Sequence, residues 1–519
     1  MTKAADDGFD FLNAEGAIPP VSDALSLTDA FDTTGLSESL SDGLSGFYSL
    51  SSPVDALAAR LLMIDRAQHR LCLQYYLFKE DMIGSLLIDR LLKAADRGVE
   101  IQLLLDDLQG ARRGASFALL ANHPKVEIRL FNPNLFRGLF RGLVLLFNME
   151  KLGHRMHNKA MIADSEVALF GGRNIGTEYF LSDENRMFLD YDVLTFGPIS
   201  LQVQLAFDNY WQSSESKELN QLDVALYAIK NRQRNHWRHQ QIISHFETMP
   251  IAELLKQSPL QKASHQEPLS LELAHANLLV DPPEKVSAYY AEKHSLAYQL
   301  TYEIEVEKSL VLVSPYFIPT HAGLERFRDY IKQGVKVRIL TNSLASTDVT
   351  LVYSAYQHYQ KALLEMGVEL YELRPKGWLV NWVQTLLAKL KWVDTNWLKS
   401  HHLLQYWHRH QLSLHTKLVI IDDRYLLIGS ANADPRSRKL NTEMLAVIDS
   451  EAMAKQENDQ LNEILEAGVF YQLTLINGKV AWHYRKGCRE KMVFVPPEAS
   501  HWRKITSKLM GLLPIEGYL

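Results

Sequence analysis

A short motif that occurs twice constrains the fold of this chain more than any other feature. Each copy has a His, a Lys two residues later and an Asp five residues after that, and the second copy lies 258 residues after the first. The six residues are His157, Lys159, Asp164, His415, Lys417 and Asp422. A turn of small residues follows each copy at the same distance and ends in Asn174 or Asn432. Chance does not produce this agreement, so we expect a duplicated fold with one site built from both halves.

The length and composition of the chain fit two fused globular repeats. At 519 residues the chain is too long for a single hydrophobic core. Its 47% hydrophobic and 22% charged residues are typical of globular proteins and exclude a disordered chain. Residues 1–50 hold nine acidic residues and one basic residue, a balance of −8, so with a net charge of −6 the rest of the chain is at +2.

Each repeat shows the order strand, helix, glycine, strand. The predicted elements are 71–78, 84–97 and 99–105 in the first repeat and 310–317, a helix ending at 333 and 335–340 in the second, with further strands at 126–131 and 368–373. This order is typical of a right-handed βαβ unit with a parallel sheet. We therefore predict an α/β protein of two sandwich repeats, 50–215 and 285–455. A pseudo-twofold axis is expected to relate them, with one composite active site at their interface.

The remaining segments are expected to flank or join the two repeats. Residues 1–49 are interpreted as an acidic, partly extended arm. Residues 216–284 are polar and helical in pattern, which predicts a helical connector. Residues 456–519 are predicted to add a helix and a hairpin, because Asn477-Gly478 is typical of a tight hairpin turn.

The residue types of the repeated motif favour chemistry on a phosphodiester. Two Lys ammonium groups and the amides of Asn174 and Asn432 can bind phosphate oxygens and stabilise the charge that grows in the transition state. One imidazole, His157 or His415, can attack phosphorus while the other protonates the leaving alkoxide and then deprotonates the incoming alcohol. We favour His157 as the nucleophile. No cofactor is needed for these steps, and no metal-ligand spacing is evident.

A nucleophilic imidazole needs a carboxylate to hold its second nitrogen. Glu443 and Asp192 stand in similar short segments after the two motifs, and we predict that they orient the histidines. Exposed acids on a strand edge are the alternative interpretation. Asp164 and Asp422 lie an odd number of residues from His157 and His415, so in a straight strand they would point away from the site. They are interpreted as structural.

The doubled motif resembles that of the phospholipase D superfamily. Within that superfamily, the segments 171–180 and 430–437, the pair Tyr75-Tyr76 and the closing segment 513–519 are similar to those of bacterial cardiolipin synthases of the C type. The resemblance implies transfer of a phosphatidyl group from phosphatidylethanolamine or phosphatidylglycerol to phosphatidylglycerol. It also implies that the His, Lys and Asn residues of both motifs form the catalytic set.

Two apolar and basic segments, 134–148 and 376–410, precede the motifs and are candidates for contact with an anionic membrane. Five of the nine tryptophans lie in the second segment. Aromatic, aliphatic and basic residues at helical spacing are typical of interfacial helices, although core packing or a dimer contact remains the alternative. The residues expected to face lipid are Phe136, Arg137, Phe140, Arg141, Trp378, Trp382, Lys389, Lys391 and Trp392.

Attachment to the membrane is expected to be peripheral. No apolar run is long enough to span a bilayer, and the first residues lack the apolar core of a secretory signal. We therefore expect a peripheral protein of the bacterial inner membrane, with phosphatidylglycerol and phosphatidylethanolamine as its partners. The oligomeric state and the side of the membrane are left open.

Three other functions compete with phosphatidyl transfer. A hydrolytic phospholipase D would use the same covalent intermediate and release phosphatidic acid. A nuclease would need a basic groove with stacking aromatics, which the basic residues interleaved with Trp and Leu do not favour, so no nucleic-acid partner is expected. A non-catalytic lipid-binding scaffold is disfavoured because both His-Lys pairs are intact.

Overall fold

The computed structural model describes residues 31, 42–109, 115–133, 153–180, 186–219, 232–262, 268–286, 295–375, 411–486 and 489–512. Within these ranges the chain forms 22 strands and 15 α-helices. The strands and helices fall into two repeats of the same order, as the duplicated motif predicts. Both repeats combine parallel and antiparallel strands with helices packed on the sheet.

The first repeat and the connector hold strands β1 to β10 and helices α1 to α8. The strands are β1 (Ser45–Leu50), β2 (Arg70–Tyr75), β3 (Glu100–Asp106), β4 (Val126–Phe131), β5 (Arg155–Met156), β6 (Ala160–Ala163), β7 (Val167–Gly171), β8 (Arg186–Leu189), β9 (Asp192–Phe196) and β10 (Ser216–Glu218). The helices are α1 (Pro53–Arg66), α2 (Met82–Asp96), α3 (Ala115–Ala121), α4 (Thr177–Phe180), α5 (Pro198–Gln212), α6 (Arg232–Glu247), α7 (Pro250–Gln257) and α8 (Pro259–Lys262).

The second repeat and the C-terminal segment hold strands β11 to β22 and helices α9 to α15. The strands are β11 (Glu272–Val280), β12 (Ser309–Val313), β13 (Lys336–Asn342), β14 (Glu369–Leu373), β15 (Gln411–Leu414), β16 (Leu418–Ile421), β17 (Tyr425–Gly429), β18 (Asn441–Thr442), β19 (Met444–Asp449), β20 (Phe470–Ile476), β21 (Lys479–Lys486) and β22 (Arg489–Val493). The helices are α9 (Leu296–Glu303), α10 (Thr320–Lys332), α11 (Thr350–Tyr356), α12 (Gln360–Met366), α13 (Pro435–Lys439), α14 (Glu451–Glu466) and α15 (His501–Met510).

The sheets of the two repeats have matching strand orders. In the first repeat the order is β10, β4, β3, β2, β6, β7, β9, β1, and only β2, β3 and β4 are parallel to one another. In the second repeat the order is β20, β14, β13, β12, β16, β17, β19, β11, with β12, β13 and β14 parallel. The βαβ units predicted from the sequence are the parallel part of each sheet.

An antiparallel pair between β1 and β11 joins the two sheets. This pair changes two of the predicted boundaries. The end of the segment predicted as an arm is the strand β1, and the segment predicted as a helical connector contains three helices but ends in the strand β11. β1 was missed because it lies in a segment of arm-like composition, and β11 because it alternates weakly and has only two fully buried positions.

Apolar packing makes the two repeats a continuous body. One core cluster fills the first repeat and crosses the interface to residues of the second, including Leu340, Leu414 and Ile420. A second cluster lies between the sheet of the second repeat and its helices. Because the first cluster spans the interface, the residues at that interface are held as rigidly as core residues.

The segment after the second repeat extends its sheet. β20 and β21 form the predicted hairpin, and Asn477 and Gly478 in its turn have φ values of 51° and 73°. β20 also pairs with β14, so the hairpin belongs to the sheet of the second repeat. Among the described residues, no helix has the length and apolar character needed to cross a membrane.

Candidate active site

Two short parallel strand pairs connect the repeats and position the motif histidines. β5 pairs with β18 and β15 pairs with β8, so each pair takes one strand from each repeat. His157 directly follows β5 and donates its backbone N–H to Thr442 O at 2.9 Å. His415 directly follows β15 and makes the equivalent bond to Leu189 O at 2.7 Å. The same backbone contact therefore places both histidines at the interface.

Glu443, the residue after β18, holds the imidazole of His157. Its Oε2 lies 2.9 Å from His157 Nδ1, and Ser430 O lies 3.1 Å from the same nitrogen. Ser430 Oγ and Ser437 Oγ donate to the two carboxylate oxygens at 2.5 and 2.7 Å. The structure thus brings together the pair that the sequence predicts. No described residue forms a hydrogen bond with Nε2 of His157.

Asp190 makes the corresponding contact with His415, and the prediction that Asp192 does so is wrong. Asp190 Oδ2 lies 2.5 Å from His415 Nδ1. Asp192 is fully buried and accepts a hydrogen bond from Arg60 Nη2 at 2.9 Å, and its Oδ2 also lies 3.3 Å from Arg173 Nη1. Its carboxylate therefore neutralises two buried guanidinium groups inside the first repeat.

Sheet register gives the reason for this error. β9 pairs Asp192 with Gly171, and β19 pairs Leu445 with Gly429, the glycine at the same motif position. Asp192 therefore corresponds to Leu445, and the acid two residues earlier in each repeat reaches the imidazole. In both repeats the acid lies two residues before the residue that pairs with the motif glycine, and this pairing identifies Asp190. The prediction of Asp192 relied instead on the similarity of the two short acidic segments.

One motif position is glycine in the first repeat and serine in the second, and this difference matches the lengths of the acids Asp190 and Glu443. Gly172 and Ser430 follow equivalent strands, and a Cβ on Gly172 would lie 2.0 Å from Asp190 Oδ1. The short carboxylate of Asp190 thus occupies the space of a side chain. In the other half the Ser430 hydroxyl occupies that space and donates to the longer Glu443.

Both motif lysines are buried beside their own histidines. Lys159 is 1% exposed, donates to His157 O at 2.5 Å and lies 5.4 Å from the ring centre of Tyr76. Lys417 is 3% exposed, donates to His415 O, and its Nζ lies 2.9 Å from His415 Nδ1 and 3.4 Å from Nε2. Two ammonium groups therefore flank the two imidazoles in a place that excludes water.

Burial disfavours the charged form of both imidazoles. It lowers the pKa of His157 to about 4; Glu443 opposes this shift, while Lys159 and Lys417 add to it. The pKa of His415 is lowered by burial and by Lys417, against the opposing charge of Asp190. At neutral pH an imidazole with a pKa of about 4 has a free lone pair, which a nucleophile requires.

Burial also lowers the pKa of both lysines, that of Lys159 to about 7. The two carboxylates respond in the opposite sense. Burial raises the pKa of Glu443 and Asp190, but the neighbouring cationic and imidazole groups outweigh it, and both stay below their usual values. Since two ammonium groups face one another across the interface, a bound anion would relieve their repulsion and raise their pKa values.

The two motif asparagines differ in how much of their amide is already bound. Asn174 Oδ1 accepts from Leu77 N at 3.1 Å, and its Nδ2 donates to Tyr179 Oη at 2.9 Å. Asn432 Oδ1 is buried without a partner among the described residues. Rotation of that amide by half a turn would place its N–H groups there. Asn432 is therefore the asparagine with the greater capacity for a phosphate oxygen.

Asp164 and Asp422 lie in turns and not on straight strands, and their carboxylates bind backbone amides. Asp164 Oδ1 accepts from His69 N and Arg70 N, and its Oδ2 accepts from Gln68 N, each at 2.8 Å. Asp422 accepts from three consecutive backbone N–H groups ahead of β12 in the same way. Each Asp ties the end of its motif strand, β6 or β16, to the start of the antiparallel neighbouring strand, β2 or β12.

Aromatic rings that the sequence did not single out surround the histidines. The ring centre of Tyr76 lies 5.0 Å from that of His157, and those of Tyr179 and Phe188 lie 5.1 Å from that of His415. Tyr316 lies 6.5 Å from His415. None of these rings was predicted as a site residue, although Tyr76 and Tyr179 lie in two of the segments that carry the family resemblance, the pair Tyr75-Tyr76 and 171–180.

An apolar cavity adjoins the His415 side of the interface. Its volume is about 1220 Å³ when its open mouth is included, somewhat above the roughly 300–1,000 Å³ of typical ligand pockets. Its apolar lining comes from both repeats: Phe188, Leu189, Leu414, Leu418, Leu461 and Ile464.

The residues predicted to face a membrane lie outside the part of the chain that the structure describes. The whole of 134–148 and 376–410 lies outside the described residues, with Phe136, Arg137, Phe140, Arg141, Trp378, Trp382, Lys389, Lys391 and Trp392.

Comparison with known proteins agrees with this geometry. A family model described as "Cardiolipin synthase, PLD-like domain" matches residues 61–211 and 302–465, once for each repeat. Cardiolipin synthase C of Escherichia coli (strain K12) is 36% identical over 483 residues, which are 92% of this chain and 97% of that protein. Cardiolipin synthase 1 of Bacillus anthracis is 25% identical over 75% of this chain and 60% of that protein.

Among solved structures, phosphatidylserine synthase from Haemophilus influenzae Rd KW20 has the same fold, with a TM-score of 0.55 and 15% identity. The match covers 94% of this chain and 100% of that one. The family match extends over both repeats and the Escherichia coli relative over nearly the whole length. The chain therefore belongs to the phospholipase D superfamily and is an enzyme of the cardiolipin synthase type.

Proposed function

We propose that the protein is a phosphatidyltransferase that forms cardiolipin. A phospholipid, phosphatidylglycerol or phosphatidylethanolamine, donates its phosphatidyl group through a covalent phosphohistidine, and a second phosphatidylglycerol accepts it. The observation that carries the proposal is the pair of crossed contacts in which each repeat supplies the carboxylate for the other repeat's histidine. The similarity to cardiolipin synthase C of Escherichia coli supports the choice of product.

In the first half of the reaction, His157 Nε2 attacks phosphorus and the bond from phosphorus to the leaving alkoxide breaks. His157 is assigned as the nucleophile because its lowered pKa keeps it neutral and Glu443 fixes Nδ1, so that Nε2 carries the lone pair. His415, whose charged form Asp190 favours, enters this step as an imidazolium and gives its proton to the leaving alkoxide, which leaves it neutral for the second half of the reaction. Lys159, Lys417 and the Asn432 amide hold the phosphate oxygens and stabilise the added charge.

In the second half of the reaction, His415 takes the proton from a glycerol hydroxyl of phosphatidylglycerol. The oxygen attacks phosphorus, the phosphorus–nitrogen bond breaks, and His157 is released in its starting form. Water in place of the glycerol hydroxyl would give phosphatidic acid, which is the hydrolytic alternative. Burial of both imidazoles disfavours water.

A lipid substrate agrees better with the surroundings of the site than a nucleic acid does. The cavity beside His415 is lined mainly by Leu, Ile and Phe side chains, which suit an acyl chain. A nuclease would need cations along a groove and aromatic faces open for stacking. We place the protein at the surface of the bacterial inner membrane, bound peripherally to anionic lipid.

An assay with two lipids tests the proposed function. Purified protein incubated with phosphatidylethanolamine and phosphatidylglycerol is expected to accumulate cardiolipin, because a second phospholipid resolves the intermediate. Products are identified by mass spectrometry, and phosphatidylethanolamine alone is the negative control, because phosphatidylglycerol alone can act as both donor and acceptor. Phosphatidic acid without cardiolipin would contradict transfer and favour the hydrolytic alternative.

Variants of the two histidines are expected to differ in the covalent adduct. His157→Ala and His415→Ala should each abolish turnover. Only His415→Ala, which keeps the nucleophile, should retain a phosphatidyl group after denaturation when a donor with a good leaving group is supplied. Intact mass spectrometry measures the adduct. Near-full activity in either variant would rule out a composite site, and an adduct on His157→Ala alone would reverse the two roles.

The two neighbouring acids are expected to respond differently to the same substitution. Asp190→Asn removes the charge that holds His415 and should lower kcat on the order of 10²- to 10⁴-fold with little change in thermal stability. Asp192→Asn leaves two buried guanidinium groups without their carboxylate and should destabilise the fold by about 3–5 kcal/mol. Urea unfolding and initial rates on the folded fraction separate the effects. Equal losses of kcat would contradict the assignment of Asp190.

The buried Lys159 is expected to limit activity at alkaline pH. Because the pKa of Lys159 is about 7, its amine is protonated and charged at lower pH and loses that charge as the pH rises through 7. Accordingly kcat/KM, which reports the free enzyme, should fall above about pH 7 by up to about tenfold per pH unit. Lys159→Arg stays charged, so its profile should shift to higher pH even if its rate is lower. An identical alkaline fall in that variant would exclude Lys159 as the cause.

A further inference from the structure

The helix α15 presents its apolar side chains to solvent. Trp502, Ile505, Leu509 and Leu512 are 73%, 51%, 62% and 81% exposed. Trp502, Ile505 and Leu509 are spaced by three and four residues along one side of the helix, and Leu512 follows two residues after its end. Exposure of one large apolar side chain is common, but a whole stripe marks a contact surface.

The opposite side of α15 is polar and attaches the helix to the second repeat. Arg503 donates to Leu344 O, Ala345 O and Thr347 O at 3.0, 2.8 and 2.7 Å. Ser507 is 1% exposed and its Oγ bonds to Ser354 Oγ at 3.2 Å. The usual arrangement, in which the apolar stripe packs on the core, is therefore reversed.

Exposed apolar side chains are concentrated in this part of the chain. Of the thirteen large hydrophobic residues that are exposed in the described ranges, seven lie between 492 and 512. Phe494 and Val495, just before the helix, are 47% and 56% exposed. The rest are scattered over the remaining described residues, so the concentration at α15 is local.

The charge around the stripe is positive. Arg503, Lys504 and Lys508 lie in the helix, and no acidic residue occurs between 499 and 512. At about 100° per residue, the exposed Lys508 borders the apolar stripe, and the half-buried Lys504 lies between the stripe and the buried Ser507. Trp, aliphatic and Lys side chains in this arrangement are typical of a helix that lies in the headgroup region of an anionic bilayer.

The helix is connected to the candidate active site by one loop. Arg503 binds carbonyls of residues 344–347. The next residue, Asp348, accepts a hydrogen bond from Tyr316 Oη at 2.8 Å. The ring centre of Tyr316 lies 6.5 Å from that of His415. A bilayer in contact with α15 would therefore lie at the side of the second repeat that carries the site.

We propose that the exposed face of α15 is a docking surface for an anionic phospholipid bilayer. The proposal deepens the proposed function, on which it rests for the identity of the partner as phospholipid. The apolar stripe enters the acyl boundary, and the bordering lysines pair with lipid phosphates. In the sequence, this surface lies outside the two segments 134–148 and 376–410 that precede the motifs.

Charge makes a bilayer a better partner than a second copy of this chain. A twofold contact through α15 would place the stripe against itself and bring Lys504 and Lys508 close to the same lysines of the other copy. Like charges at that distance repel, whereas phosphatidylglycerol headgroups neutralise them.

Co-sedimentation with vesicles tests the proposal. The variant Trp502→Ser/Ile505→Ser/Leu509→Ser should lower binding to vesicles of phosphatidylglycerol and phosphatidylcholine by roughly tenfold or more. Leu201→Ser/Leu205→Ser is a matched control, because these residues of α5 are 53% and 59% exposed, and it should bind as the unaltered protein does. Lys504→Gln/Lys508→Gln should weaken binding to the same vesicles and reduce its dependence on salt.

The outcomes separate this proposal from the proposed function. Turnover of dispersed short-chain phosphatidylglycerol should be unchanged in the α15 variants, since none of these residues contacts the site. Unchanged vesicle binding in the triple variant would overturn the docking surface. So would a triple variant that loses only self-association, measured by light scattering, because a second copy would then be the partner. If neither the unaltered protein nor any variant produces cardiolipin, and vesicle binding is lost only in the α15 variants, the proposed function is overturned. The docking surface then remains supported.

Discussion

The hydrogen bond between an imidazole of one repeat and a carboxylate of the other is the interaction on which the site depends. Glu443 and Asp190 each fix Nδ1 of a histidine that the opposite repeat contributes. The parallel pairs of β5 with β18 and β15 with β8 bring those residues into register. Since the core cluster is continuous across the interface, this register is held by packing and not by the polar contacts alone. Neither repeat by itself has a complete site.

Much of the fold follows from the sequence, because the features that specify it are local. The repeated spacing from His to Asp to Asn reflects a turn whose geometry requires those residues, and Asp164 and Asp422 cap the same backbone amides in both repeats. The βαβ units follow from hydrophobic periodicity. The strands β1 and β11 were missed because one lies in a segment of arm-like composition and the other alternates weakly, and only tertiary pairing makes them strands.

The parts of the site that were not predicted depend on distances along the chain that differ between the repeats. From Asn174 to Asp190 there are 16 residues, and from Asn432 to Glu443 there are 11. The two repeats are aligned by a constant difference of 258 residues only as far as Asn174 and Asn432. Beyond the turn that difference changes, so the prediction relied on the similarity of two short acidic segments and chose Asp192. The helix α15 shows a second limit. Its amphipathic pattern is visible in the sequence, but the pattern does not say which side packs on the protein, and here the polar side does.

The difference between Gly172 with Asp190 and Ser430 with Glu443 has a consequence for how such a site evolves. In a symmetric dimer of one-repeat chains, both histidines would have identical surroundings, and either could become the nucleophile at random. Fusion into one chain lets each half accumulate its own substitutions, so the two imidazoles can acquire different proton affinities. In the fused chain one histidine can be the nucleophile and the other the proton donor, and both roles are inherited together. A gene for a single repeat could not encode this difference.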